Sequence, residues 1–209
     1  MKGHDLYPLF LDIGGRVCVV VGGGRVAERK VRGLLRSHGQ VKVVSPEVTK
    51  GLEKLEREGR IAVVRKSFEA RDLDGAFLVF AATGRKDVNE TVKAEAEKRR
   101  ILVNVVDDPL LCDFFVPSTV RRRALTIAIS TSGTSPLASK MIRREMERRC
   151  ARVFGRYAEI VANFRRIVMK NVRDRAKRTE IKRRIEKKPI SEVVEMGLRG
   201  LLRVLKGEI

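Results

Sequence analysis

Two groups of residues in this chain are of types and spacings that can do chemistry. The first is Gly22-Gly23-Gly24-Arg25-Val26-Ala27, which follows the apolar run Val17–Val21 and leads into a charged stretch with apolar residues at helical spacing, Val26–Ser37. A strand running into G-x-G-x-x-A and then a helix is a phosphate-binding turn. Gly22 lets the chain turn tightly, Gly24 lets the backbone approach a pyrophosphate, and Ala27 lets the helix pack close to the strand, while free N–H groups at the helix start face the anion. Gly22, Gly23, Gly24, Arg25 and Val26 are therefore the first dinucleotide-binding candidates. The second group is the carboxylates Asp107, Asp108 and Asp113, after the apolar run Ile101–Val105. Residue type alone leaves open whether Asp107 and Asp108 transfer protons or simply form a turn before Pro109.

Two further loops belong with the glycine turn. After the second apolar run, Val41–Ser45, stands Ser45-Pro46-Glu47-Val48-Thr49. An acidic residue there grips the ribose of NAD, whereas an arginine receives the 2′-phosphate of NADP. Glu47 supplies the acid from a shifted position and no arginine is present, so NAD is expected, with Ser45, Pro46, Glu47 and Val48 as contacts. Thr83, after the run Phe77–Ala82, is expected at the cofactor, with helix capping as the rival role.

These residues need a scaffold that brings them to one edge. The runs Val17–Val21, Val41–Ser45, Ile61–Arg65, Phe77–Ala82 and Ile101–Val105 read as strands, and Val26–Ser37, Thr49–Glu58 and Asp87–Arg99 as helices. Repeated βα units predict an α/β fold with a parallel sheet of Rossmann type. Beyond Pro109, Phe114–Val116 and Leu125–Ile129 read as strands, Ser135–Arg149 as a helix capped by Ser135, residues 163–188 as a basic helix, and Ile190–Leu205 as a last helix whose apolar stripe offers a contact surface for a partner. The domains expected are 1–113 for the dinucleotide, 114–150 as a strand–helix segment for dimerisation and substrate, and 151–209 as a basic helical domain.

Cys18, Cys112 and Cys150 are odd in number, far apart and accompanied by only His4 and His38, so neither disulfides nor a structural metal is expected. No run reaches the ~20 apolar residues of a membrane span, and Met1–Asp12 lacks the features of a signal peptide, which points to the cytoplasm.

The order of four motifs, residues 7–30, "AAT" at 81–83, "NVVDDPLLCDFFVPS" at 104–118 and "IAISTSGTSP" at 127–136, resembles the precorrin-2 dehydrogenase family of siroheme-synthase type. The resemblance covers about residues 5–150 in continuous order. It implies NAD-dependent oxidation of precorrin-2 to sirohydrochlorin, with Asp107 at the position of the family's catalytic carboxylate and Asp113 as its rival. It also implies that Asn104, Thr131 and Gly133 border the tetrapyrrole, and that the protein is a homodimer. Some members also insert Fe²⁺, which the sequence leaves open. Cys112, beside Phe114 and Phe115, reads as packing rather than as a metal ligand. At 209 residues, no methyltransferase domain like that of the longer fused enzymes is expected.

Charge is the unusual global property. Residues 1–116 carry 21 basic and 17 acidic side chains, a net of +4, whereas residues 117–209 carry 25 and 9, a net of +16. Precorrin-2 is a polycarboxylate that such a surface would draw in. The alternative is an NAD-sensing regulator that binds nucleic acid. Against it, the basic stretch has one aromatic, Phe164, and no recognition motif. Abundant Lys, Arg and Glu beside a single Gln, Gln40, also fit a heat-adapted surface.

Overall fold

A computed structural model describes residues 6–132, 134–149 and 151–206. They form two compact units, Leu6–Val116 and the residues from Pro117 on, where the sequence reading set its boundaries after 113 and 150.

The first unit is a five-stranded parallel sheet in the order β3-β2-β1-β4-β5, built from β1 (Val17–Val21), β2 (Gln40–Val44), β3 (Ile61–Val64), β4 (Leu78–Ala81) and β5 (Leu102–Val105). β1 is almost wholly buried because helices cover both faces of the sheet, which is why it reads as unbroken Val and Cys. One face carries Cys18, Val20, Val43 and Phe80 against α1 (Arg25–Leu35) and α2 (Lys50–Arg57). The other carries Val19, Val21, Val79, Val103 and Val105 against α3 (Lys86–Lys98) and the 3₁₀ turn Ala70–Leu73. On α1, Ala27, Val31 and Leu34 are the buried residues, at the i, i+4, i+7 spacing of one helical face. Register then fixes the functional edge. Val21 pairs with Val44 and with Ala81, and Ala81 with Val105, so Gly22, Ser45, Ala82 and Val106 leave the sheet side by side at its carboxyl end.

The second unit opens with an antiparallel hairpin, β6 (Ser118–Arg122) and β7 (Leu125–Ile129), turned through Arg123 at φ 52°. The expected strand at Phe114–Val116 is absent; the strand is Ser118–Arg122, which persists despite its arginines because β7 pairs with it. Four helices follow: α4 (Pro136–Arg149), α5 (Ala151–Asn171), α6 (Arg175–Glu186) and α7 (Ile190–Lys206). The single basic helix expected over 163–188 is thus two. Asp174 begins the second by accepting the N–H groups of Ala176 and Lys177, and Arg178 Nε closes the end of α5 by donating to the Val172 carbonyl at 2.6 Å.

Helix α7 bends at Gly197, φ 61°. Its apolar stripe is not left for a partner: Val193 and Leu201 are buried against Ile160, Phe164, Val168, Ile181 and Ile185 of the same unit. Phe164, the one aromatic of the basic stretch, is therefore core. No helix among the described residues is long and apolar enough to cross a membrane.

Candidate active site

The three glycines between β1 and α1 do three different things. Gly22 has φ 119°, and a Cβ there would lie 2.4 Å from the Ala82 carbonyl oxygen, so the turn admits no side chain. Its N–H donates to the Val44 carbonyl at 2.9 Å. Gly23 is confined from the other side: a Cβ would stand 1.9 Å from the Glu47 carbonyl oxygen. Gly24 has an ordinary φ of −80° and is the N-cap of α1, with no side chain capping the helix start. A Cβ on Gly24 would meet no atom within 4 Å. Two glycines therefore close the turn while the third keeps space open in front of uncapped helical N–H groups. That cradle fits the pyrophosphate of a dinucleotide. Gly24→Val, whose Cβ would stand in open space, is expected to weaken NAD binding about tenfold or more, ~1.4 kcal/mol, with an unchanged melting temperature. Calorimetric titration giving wild-type affinity would remove the pyrophosphate from this turn.

The loop after β2 is locked onto this cradle. Thr49 N–H donates to the Gly23 carbonyl at 3.0 Å, Ser45 Oγ donates to the Glu47 carbonyl at 2.7 Å, and the Thr49 hydroxyl donates to Glu28 Oε2 at 2.6 Å. The Thr49 hydroxyl and the Arg32 guanidinium hold the Glu28 carboxyl below its usual range. Glu28 is a residue the sequence reading missed, since its partner lies 21 residues away. Pro46 and Glu47 are exposed and Val48 packs on the core beneath. Arg25 is exposed and Val26 half-buried at the helix start. Thr83 lies next to Gly22, but its hydroxyl donates to Asn89 Oδ1 at 2.7 Å, and Asn89 Nδ2 donates back to the Thr83 carbonyl at 3.3 Å. Thr83 thus ties its loop to α3 through Asn89, while the N-cap of α3 is Arg85, which carries no side-chain capping bond.

The carboxylates divide by what already holds them. β5 is an edge strand whose exposed backbone needs cover. Asp113 and Cys112 provide it. Asp113 N–H donates to the Val103 carbonyl at 2.9 Å, its Oδ2 accepts Val103 N–H at 3.0 Å, and Cys112 Sγ accepts Val105 N–H at 3.2 Å. The other Asp113 oxygen takes Lys93 Nζ at 2.7 Å, so both of its oxygens are engaged. Asp108 accepts the Leu110 N–H at 3.3 Å and starts the 3₁₀ turn Pro109–Leu111. Asp107 is exposed, and its side chain makes no hydrogen bond or ion pair among the described residues. It sits at φ 64°, a conformation that aspartate and asparagine tolerate better than other side-chain-bearing residues.

Asn104, expected at the substrate, is tied to the loop that follows it. It is 6% exposed, and its Nδ2 donates to the Phe114 carbonyl at 2.9 Å, so it positions the loop that carries the carboxylates. Burial pushes the Cys112 thiol up from its ordinary pKa, and that of Cys18 up to about 11; both stay protonated at neutral pH. In the second unit, Thr131 Oγ1 accepts Ser135 N–H at 3.1 Å and donates to the Ser135 carbonyl at 3.0 Å, and Ser135 Oγ accepts Ala138 N–H at 3.1 Å. Thr131 thus shapes the start of α4. Gly133, Cys150 and His4 lie outside the described residues. Among the described residues no three His, Cys, Asp or Glu side chains converge on a metal-sized site.

Comparison with known proteins adds an independent line. Residues 9–118 match the family described as "Putative NAD(P)-binding", and residues 122–149 the family described as "Sirohaem biosynthesis protein central". A siroheme synthase of Photobacterium profundum is 37% identical over 193 residues, 92% of this chain and 41% of that protein. One of Methylobacillus flagellatus is 45% identical over 164 residues, 78% of this chain and 35% of that protein. The chain therefore spans about two-fifths of the length of these relatives. The solved structure of SirC, a precorrin-2 dehydrogenase, is similar with a TM-score of 0.79 and 26% identity, covering 97% of this chain and 100% of the other.

Proposed function

This chain belongs to the family described as "Putative NAD(P)-binding", and from that membership, with the match of residues 122–149 and the likeness to a precorrin-2 dehydrogenase, we propose that it is of the siroheme-synthase N-terminal type and oxidises precorrin-2 to sirohydrochlorin with NAD. The observation that carries the reading is the pairing, on one edge of the sheet, of an open, uncapped helix start at Gly24 with a carboxylate, Asp107, that no side chain among the described residues holds. Bound nicotinamide supplies the hydride acceptor. The chain's own residues do the rest. Gly22–Gly24 and the N–H groups of α1 hold the pyrophosphate, and Asp107 takes the proton that must leave with the hydride, then releases it to water. Substrate minus a hydride and a proton is the more oxidised macrocycle, so the step balances.

NAD rather than NADP is favoured because the loop at 45–49 presents the exposed Glu47 carboxylate to the ribose and no arginine. Iron insertion into the product is a second reading of the same site, since Asp107 is equally placed to take pyrrole protons. Residues 114–150 as the segment for substrate and dimer contacts, a homodimer and a cytoplasmic location complete the proposal. For the dimer, an apolar groove of about 660 Å³ lined by Leu125, Ile127, Met146, Phe154, Tyr157 and Val161 offers a face for a second copy.

The net +16 of residues 117–209 is assigned to attracting substrate carboxylates. Raising salt is then expected to increase the apparent KM for precorrin-2 more than that for NAD. Steady-state kinetics over a salt series check this, and equal responses would make the charge a solvated surface only.

A further inference from the structure

Lysines of this chain commonly meet acids, as Lys93 meets Asp113 at 2.7 Å and Glu97 at 3.1 Å. Lys30 does not. It lies on α1 one turn beyond Val26, on the stripe that starts at the dinucleotide turn. It is half-buried, and among the described residues its ammonium has no carboxylate within ion-pair distance and makes no hydrogen bond. Instead Nζ sits 5.0 Å above the centroid of the Phe80 ring. Phe114 meets that same ring edge-to-face, with centroids 5.3 Å apart and planes at 80°. The ring itself is covered, since Phe80 is 3% exposed. α1 packs over β1 and β2 and α3 covers β4 and β5 on the opposite face, so Lys30 reaches from α1 over the β4 ring, and Phe114 and Val106 pack against the same cluster.

A partly desolvated ammonium without a counter-charge is an unfavourable arrangement that an incoming anion relieves. Burial lowers the Lys30 pKa from the usual lysine range and Arg29 adds to this, while Cys112 and Asp107 act in the opposite direction. Phe80 pairs with Asn104, three residues before Asp107, so the ring and the carboxylate belong to adjacent strands at the same end of the sheet. An aromatic floor, an unpaired cation and a free carboxylate base stand together at the edge where the cofactor turn opens.

We propose that Lys30 is a specificity-determining residue of this site: its ammonium, seated on the Phe80 ring beside Asp107, receives a carboxylate of the tetrapyrrole and so places the macrocycle against the base. This rests on the proposed oxidation of precorrin-2. The alternative, that Lys30 merely covers Phe80 with its methylenes, predicts a different response, because methionine preserves that packing.

The test uses the full chain as wild type, Lys30→Met and Lys30→Arg, titrated with sirohydrochlorin and with its fully esterified form, alongside turnover of precorrin-2, NAD affinity and melting temperature. Lys30→Met is expected to weaken sirohydrochlorin binding about tenfold or more and to raise the KM for precorrin-2 by a similar factor. Its NAD affinity and melting temperature stay at the wild-type values. Lys30→Arg keeps the charge and restores most of the affinity. The ester, which lacks the carboxylates, binds wild type and Lys30→Met alike. Wild-type sirohydrochlorin affinity in Lys30→Met, or an equal loss for acid and ester, overturns the assignment while wild-type turnover leaves the function standing. A wild-type protein that neither oxidises precorrin-2 nor binds sirohydrochlorin overturns both.

Discussion

Asp107→Asn is expected to lower the rate of precorrin-2 oxidation by roughly 100-fold or more, the usual scale for losing a general base, with NAD affinity and melting temperature unchanged. Asparagine is the informative replacement because Asp107 sits at φ 64°. Asparagine tolerates that backbone, whereas alanine there costs about 1–2 kcal/mol and would mix a stability loss into the rate. The neighbouring carboxylates give the control. Asp113→Asn disturbs the cover of β5 at Val103 and the ion pair with Lys93, so its effect falls on melting temperature. Asp108→Asn disturbs only the start of a 3₁₀ turn. Stopped-flow or steady-state rates for the three variants separate these roles. An active Asp107→Asn with an inactive but stably folded Asp113→Asn would transfer the base to Asp113.

Gly23→Ala is expected to be the most damaging single change to the cofactor turn. Its methyl group would stand 1.9 Å from the Glu47 carbonyl oxygen, a backbone atom held by the Ser45 hydroxyl at 2.7 Å. The loop at 45–49 must then move, and the Thr49 N–H bond to the Gly23 carbonyl must lengthen or break. Overpacking of this kind costs about 1–3 kcal/mol. In a chain of this size that is a fall in melting temperature of roughly 5 °C. NAD binding drops with it, because both the pyrophosphate cradle and the loop that faces the ribose are displaced. Thermal denaturation with and without NAD reads both effects, and wild-type behaviour in Gly23→Ala would mean that the closure of these two loops is not required. The contrast with Gly24→Val, where binding falls and stability does not, separates structural from ligand-facing glycine in adjacent positions.

What was legible in the sequence follows from how local its cause is. β1 could be read because a central parallel strand is buried on both faces and needs an unbroken apolar run, and its neighbours fell within a residue or two of their expected bounds. Gly22 could be read from the turn pattern. The role of Gly23 could not, because its constraint is the backbone of Glu47 on another loop. β6 was missed for the same reason: Ser118–Arg122 carries two arginines and no alternating apolar pattern, and only pairing with β7 makes it a strand. The break between α5 and α6 left a signal that was overlooked, Asp174 as a helix N-cap just after Asn171.

At the site, residue types named the three carboxylates but could not rank them on geometry. That ranking needs the knowledge that the loop at 112–114 folds back along β5, which engages Asp113 and leaves Asp107 free. The hold of Asn104 on the Phe114 loop was equally hidden, since a buried amide that holds a loop and an exposed amide that holds a ligand look alike in sequence. The apolar stripe of α7 was read as a surface for a partner, yet helices α5 and α6 of its own unit take it up.

The most direct measurement is an anaerobic incubation of the full chain with precorrin-2 and NAD, followed spectroscopically, with Asp107→Asn in parallel. The account predicts that NADH and sirohydrochlorin appear together and in equal amounts with the wild type, and at a rate lower by roughly 100-fold or more with Asp107→Asn. Wild-type protein that binds NAD yet forms neither product at saturating precorrin-2 would contradict it.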